Sequence, residues 1–463
     1  LPRPVTIAGH EVHYGLEGAL LIDPVMRIYE HTREQRYLDW ALWVLASLDR
    51  WSNCDNFSKL DQVADGRLAL NEIQPYVHAH TLPMVLMGAL RLYRVSGDSS
   101  LLGKATGVWR SVAANYSYIT GGVSTGEHYG KPHDLPNSGS VVETCASYSW
   151  ILFNQALLEL TEEAAHADAI ERLMLNHVPA AQTIDGDGFR YHCPLNGWKP
   201  LNAWTGPDCC SSSGNLLLAL LPGTFYGQAG DAVVVNQFVP STMHVSIQGQ
   251  SVRLIQKHEF PVAEDVVIEV QPANPAVFEV KVRIPRWCEN PSMRVNGALS
   301  EARPGSYVTI RRQWSPGDRI VLNLPMAPVW VEGQHTNTGR IALTRGPVVY
   351  CLDTAWMDGE TGSLLAGDRQ GDDMPGLAGI AKPLRAVATP AEAMGPAFEA
   401  TIRLKNGDRG NGMLVPYANL GRWYHSEAEK ARGTRFRPDA ADHRKQQPPA
   451  QKHLPFAVWL KPA

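Results

Sequence analysis

The chain changes its hydrophobic rhythm once, near residue 224. Before that point apolar residues recur at three- and four-residue spacing over 20–29, 37–48, 82–93, 101–116, 146–160 and 167–175, the period of amphipathic helices. Breakers such as Ser96-Gly97-Asp98 separate them, the cadence of antiparallel helix pairs. A last short apolar helix over 213–221 is stopped by Pro222-Gly223. After it the period becomes two. Residues 232–236, 243–247, 266–270, 277–284, 307–311 and 319–324 alternate or run apolar between Gly, Pro and Asn turns, which predicts one β-sandwich. A further β-rich stretch carries predicted strands at 342–351, 398–404 and 456–460. Residues 356–396 and 426–452, rich in Gly, Pro, Ala and charge, read as long surface excursions. The pattern predicts a multidomain α + β protein, with a helical unit over 1–224 and β-sandwich domains over 225–331 and 332–463.

Composition alters this picture little. A chain of 463 residues, 44% hydrophobic and 19% charged, has material for large cores in several domains. The net charge of −4 and the lack of a basic stripe with interleaved aromatics exclude a nucleic-acid partner. No run approaches the ~20 apolar residues of a membrane span. Thirteen Trp and fifteen Tyr suit sugar stacking as well as core packing. The opening Leu1-Pro2-Arg3-Pro4 is no signal peptide, which favours the cytoplasm, and the chain reads as processed, trimmed or a fragment. The seven cysteines are odd in number and not densely spaced, which argues against a disulfide framework. Cys54, Cys288 and Cys351 read as structural; Cys193, in Tyr191-His192-Cys193-Pro194, is expected near a pocket without an assigned role.

Chemistry concentrates at Cys209-Cys210 and at Glu143-Thr144-Cys145. Three thiols and a carboxylate suit tetrahedral zinc. Glu143 and Cys145 lie two apart, so on one helix they would face nearly opposite ways. Both reach one ion only if Glu143 precedes the helix and Cys145 sits in its first turn, where the helix dipole favours a thiolate. Ligand chemistry alone leaves open a structural zinc, a catalytic one, or buried thiols with no metal. Between two helices lies an irregular loop: Thr120-Gly121-Gly122-Val123, then Glu127-His128, then Asp134-Leu135-Pro136-Asn137. Glu127 stands sixteen residues before Glu143, far enough for the loop to double back. It is a candidate general acid and base, set against a plain solvated carboxylate. His10 and His13 are candidate sugar contacts, set against ordinary polar positions near a helix start.

The ordered run Thr-Gly-Gly-Val, Glu127, Leu-Pro-Asn, Glu143-Thr144-Cys145, Cys209-Cys210 and Leu221-Pro222-Gly223 resembles glycoside hydrolase family 127, the β-L-arabinofuranosidase group. The related family 146 shares much of it. The likeness continues through Val282-Arg283-Ile284-Pro285-Arg286-Trp287, Trp314-Ser315-Pro316-Gly317-Asp318, Leu324-Pro325-Met326 and Gly339-Arg340 to Arg345-Gly346-Pro347, and so covers most of the chain. The resemblance implies an (α/α)6-type barrel carrying the site, followed by two β-sandwiches. It implies Zn2+ held by Glu143, Cys145, Cys209 and Cys210, with Cys209 as nucleophile and Glu127 as acid/base. His80 would contact the sugar, with His78 as the alternative. The expected reaction is retaining hydrolysis of a β-linked L-arabinofuranose, or a related sugar, in plant-type glycans. Cys209 and Glu127 would then stand ~5–5.5 Å apart. Ser211-Ser212-Ser213 departs from the proline and asparagine usual in the family. The helical stretch before Gly121 is also short for the first half of a six-pair barrel, so an incomplete barrel is expected. The rival reading is a non-catalytic carbohydrate-binding or scaffold protein with a structural zinc. Exposed sandwich faces leave room for a homodimer.

Overall fold

The computed structural model describes residues 19–51, 56–73, 77–182, 188–197, 209–354, 357, 365, 373–374, 376–388, 395–419 and 456–463. His10, His13, Cys54 and the stretch 426–452 lie outside the described residues.

The helical part comprises α1 (Ile22–Thr32), α2 (Gln35–Trp51), α3 (Asn56–Ala64), α4 (Thr81–Ser96), α5 (Ser99–Asn115), α6 (Thr144–Thr161), α7 (Ala164–Leu175), α8 (His177–Ala181) and α9 (Cys209–Leu220). Local chemistry sets its joints. Gly97, at φ 74°, ends α4 by donating its N–H to Tyr93, and Asp98 then caps α5 by accepting from Ser100. The Ser96-Gly97-Asp98 breaker is therefore a stop and a start in three residues. Helix α3 escaped the sequence reading because it has nine residues and buries only Phe57, Leu60 and Val63. Its end seats on α5 where Gly107 lacks a side chain: a Cβ there would lie 2.3 Å from Ala64 Cβ. Leu, Val, Ile and Met side chains from α1 to α9 make one core, from Ala19 to Leu221.

Two sheets then face each other. One orders Ser306–Trp314, Ala276–Ile284, Ala232–Val235 and Tyr226–Ala229; the other orders Ser241–Ile247, Gln250–Gln256, Asp265–Pro272, Asp318–Asn323, Ser292–Val295 and Ala298–Ser300. Their inner faces share one core, including Val233, Phe278, Val280, Val252, Ile268 and Ile320. This is the expected sandwich.

The last part differs from expectation. Among the described residues its strands join a single eight-stranded sheet instead of a second sandwich. The edges of that sheet approach each other: Trp330 Nε1, on Pro328–Glu332, donates to Lys382 O on Leu377–Val387 at 2.6 Å. Among the described residues one curled sheet thus surrounds Leu343, Tyr350, Leu352, Ile402 and Leu414, with Leu365 and Met374 packed against them. The predicted strand 342–351 is two, Ile341–Arg345 and Val348–Asp353, folded back at Gly346-Pro347. Strand Leu377–Val387 runs through what was expected to be a surface excursion. Asn196–Gly197, inside the helical half of the sequence, is an edge strand of this sheet, paired with Phe456–Ala457.

Buried polar contacts fasten the parts. Arg283, fully buried, pairs with Glu171 at 2.6 Å and with Asp168, both on α7. Burial alone would lower the guanidinium pKa, but the two carboxylates outweigh it and raise the pKa. Asn176 donates to Pro347 O and accepts from Val349 N, tying the end of α7 to the curled sheet.

Candidate active site and metal centre

Three helices point their N-termini at one spot. Glu143 is the N-cap of α6 in extended conformation, with Cys145 one residue inside, and Cys209 and Cys210 open α9. His80 is the N-cap of α4, and its Nδ1 lies 3.0 Å from Cys145 O. A carbonyl only accepts, so His80 carries its proton on Nδ1. Convergent dipoles and first-turn amides favour negative charge here.

One ligand atom from each of Glu143, Cys145, Cys209 and Cys210 lies within 4.8 Å of all the others. Cys210 Sγ is 3.3 Å from Cys145 Sγ and 3.6 Å from Glu143 Oε1. Glu143 Oε2 is buried without a hydrogen-bond partner. Burial pushes the Glu143 carboxyl up to about 8, and the charges of Glu127 and Cys209 add to it. Hydrogen bonds from Cys145 and Cys210 hold the Cys209 sulfur well below the ordinary thiol range, whereas burial drives Cys210 up. Four donors packed this closely cannot all ionise unaided, and with one carboxylate oxygen unpartnered they form a set that a divalent cation would hold ionised and neutralise. Three sulfurs and one carboxylate fit zinc.

The loop from Tyr118 doubles back over this cluster. Gly122 permits it, since a Cβ there would sit 2.1 Å from Val142 Cγ1. Ser124 Oγ accepts from Glu143 N at 2.8 Å, and Thr125 bridges both His128 and Val141. Glu127 is thereby carried to the cluster's open edge. Its Oε1 accepts a short hydrogen bond from Tyr191 OH, which lies 3.4 Å from Cys209 Sγ. One shared hydroxyl caps the distance from sulfur to carboxylate at about 6 Å, close to the ~5–5.5 Å of retaining pairs. His78 Nδ1 accepts from His80 N at 3.0 Å, so a neutral His78 turns Nε2–H toward Glu127 Oε2, 3.8 Å away.

Glu127, Glu143, Cys145, Cys209, Cys210, His78 and His80 therefore gather in one place, while His10 and His13 lie outside the described residues. Of the cluster's cysteines Cys209 alone is exposed. Cys193 is fully buried beside Phe189 and Ala181 and faces no open space. Cys288 and Cys351 are buried in the sandwich and against the curled sheet. The residue that sequence reasoning missed is Tyr191. Its signal was slight, a polar aromatic in a Tyr-His-Cys-Pro run that fits neither the helical nor the strand period. The Ser211–Ser213 departure lies near the start of α9; the hydrogen bond with Cys209 drives the Cys145 thiol up, and the Ser213 hydroxyl opposes this only in part.

Residues 4–222 match the family model described as β-L-arabinofuranosidase, GH127 catalytic domain, and residues 232–326 match the GH127 middle domain. A non-reducing end β-L-arabinofuranosidase of Bifidobacterium longum is 26% identical over 479 residues, spanning 90% of this chain and 70% of that protein. Among solved structures, a GH127 β-arabinofuranosidase aligns with a TM-score of 0.74 at 22% identity, over 97% of this chain and 68% of its own. A GH127 β-L-arabinofuranosidase from Geobacillus stearothermophilus T6 aligns at 0.69 and 22% identity, over 98% and 81%. These structural likenesses speak to the fold, a mixed helix and sheet multidomain protein.

Proposed function

The chain belongs to the β-L-arabinofuranosidase family GH127 and is a glycoside hydrolase, and from that premise we propose that it releases β-linked L-arabinofuranose or a close relative with Cys209 as nucleophile and Glu127 as acid/base. The observation that carries this reading is the Tyr191 hydroxyl, which touches both groups at the open edge of the cluster. Zinc held by Glu143, Cys145, Cys209 and Cys210 would supply one thing, a positive charge that keeps thiols ionised at neutral pH.

The rest is done by the chain's own side chains. Cys209 Sγ attacks the anomeric carbon while Glu127 gives its proton to the departing glycosidic oxygen. A carbon–sulfur bond forms as the carbon–oxygen bond breaks. Glu127, now a carboxylate, takes a proton from water, and that water attacks the anomeric carbon opposite sulfur, on the face the glycosidic oxygen left, so that the carbon–sulfur bond breaks and Cys209 leaves as the thiolate. Tyr191 gives the pair two proton arrangements. With Cys209 ionised, the hydroxyl can donate to sulfur and accept from protonated Glu127; with the thiol neutral, it donates to the carboxylate. The first arrangement is the one that attack requires. His80, with His78 beside it, is the proposed contact to the sugar.

Within this proposal the helices form part of an (α/α)6-type barrel, a view supported by three helix N-termini meeting at one end. The proposed division at 224 and 331 is supported by three separate cores, although a fourth joins Tyr118, Val141 and Leu195 of the helical part to Val349 and Val415 of the last sheet. Elemental mass spectrometry tests the metal. About one zinc per chain, lost in Cys145→Ser, is expected. A metal-free chain purified under reducing, chelator-free conditions would reject the proposed centre.

A further inference from the structure

The segment 189–197 begins in the candidate active site and ends as a strand of the C-terminal sheet. Its first half is held by the helical unit: Thr144 N donates to Tyr191 O at 2.9 Å, and Thr144 Oγ1 donates to Arg190 O at 2.6 Å. Cys193 N reaches Val141 O and Val142 O at 3.0 and 3.1 Å. Val142, next to the ligand Glu143, is a β-branched residue held at φ 53°, a conformation that needs such restraint. The second half is held from the far side. Tyr417, fully buried, directs its one hydroxyl proton at two consecutive carbonyls, Cys193 O at 3.0 Å and Pro194 O at 2.9 Å. Asn196 Oδ1 accepts from Val458 N and Trp459 N, and its Nδ2 donates to Trp459 O at 3.0 Å. Val458 N also donates to Leu195 O at 3.0 Å.

Tyr417 thus grips the chain two and three residues from Tyr191, the side chain that touches both Glu127 and Cys209. We infer that the C-terminal sheet sets the geometry of this pair, with Tyr417 as a positioning residue acting through Tyr191. The inference rests on the proposed roles of Glu127 and Cys209. It gives the sheet a part in the reaction although, among the described residues, it supplies no side chain to the site. A displacement of about 1 Å at a reacting group can cost on the order of 10²-fold in rate, so one lost hydroxyl at the grip is enough to register.

The test is a double-mutant cycle on the full chain with Tyr417→Phe, Tyr191→Phe and both. Two quantities are read: kcat and KM on p-nitrophenyl β-L-arabinofuranoside, and the rate of Cys209 alkylation by iodoacetamide, followed by peptide mass spectrometry. Tyr417→Phe is expected to lower kcat about tenfold with KM within about twofold, and to shift the alkylation rate in the same direction as Tyr191→Phe. The double variant should fall no further than Tyr191→Phe alone, because the grip acts only through that side chain. Losses that multiply, or a Tyr417→Phe protein equal to the parent in both readouts, would overturn the inference. If Tyr417→Phe fails to fold, Asn196→Asp enters the same cycle under the same criteria. If the parent does not turn over the arabinoside, the functional reading is what fails, and the alkylation rates alone decide the positioning role.

Discussion

The division of labour between Cys209 and Glu127 is a claim about single atoms, so single atoms test it. Cys209→Ser keeps size but replaces a readily ionised thiol, and Glu127→Gln keeps shape but has no proton to exchange. Each is expected to lower turnover of an aryl β-L-arabinofuranoside by about 10²–10⁴-fold in steady-state assays. A variant at either position within a few-fold of the parent would remove that residue from its role. The Glu143–Cys145 arrangement was legible from spacing, whereas the roles of Cys209, Glu127 and His80 rested on the family resemblance. Glu143 and Cys145, two apart, can share an ion only across a helix start, and Glu143 is indeed the N-cap of α6. Tyr191 was not legible. It meets Glu127 across 64 positions of sequence because the loop and segment 189–197 are folded onto each other, and no local period records that.

Helices position the site through close contacts that a methyl group can disturb. A Cβ on Gly214, in α9, would lie 2.2 Å from Phe189 Cγ. In an exposed helix, Gly→Ala would gain about 1 kcal/mol from propensity. Here overpacking is expected to win, with a net loss of about 1–3 kcal/mol. Because the first turn of α9 carries Cys209 and Cys210, Gly214→Ala should also lower the occupancy of the proposed zinc site; thermal unfolding and elemental analysis read the two effects. Helix α7 makes a second prediction. His166 is buried against the Trp109 ring, 4.4 Å between centroids, and burial pushes its pKa down to about 4. Unfolded, it would titrate near 6.5, so the unfolded chain binds the extra proton between these values. The stability tied to neutral His166 is therefore whole above pH about 6.5 and lost as pH falls toward about 4. His166→Phe should show a shallower fall in melting temperature over that window than the parent, and equal slopes would dismiss the effect. Elements were legible where the period was strong and long. Strand Gln250–Gln256 was not, because only Val252, Leu254 and Ile255 interrupt its polar run and a neighbouring strand supplies the rest of the order.

The assembly of the whole molecule rests on faces that the sequence shows only as exceptions. In Ala276–Ile284, Phe278, Val280, Val282 and Ile284 point into the sandwich core, so Arg283 belongs to the opposite face. A charge there reads as a solvated position. Instead α7 covers it, and Asp168, Glu171 and Trp287 gather around the guanidinium; Trp287 Nε1 donates to Glu171 at 2.8 Å. Such a buried set adds little over a well-packed apolar one, because desolvation offsets the attraction, but breaking it by halves is costly. Arg283→Met leaves two carboxylates facing each other without a cation and should cost about 3–5 kcal/mol. Adding Glu171→Leu removes the fully buried carboxylate and leaves only Asp168, which is partly exposed and can be hydrated. The double variant should therefore recover much of the loss, an outcome opposite to two independent contacts being removed in turn. Added salt should change the loss caused by Arg283→Met little, since in the parent Arg283 and Glu171 are shielded from solvent. Thermal unfolding of the parent and the two variants at low and high salt measures this. A double variant less stable than Arg283→Met would mean that Glu171 holds the helical unit on the sandwich by its own hydrogen bond to Trp287, and that the ion pair is incidental.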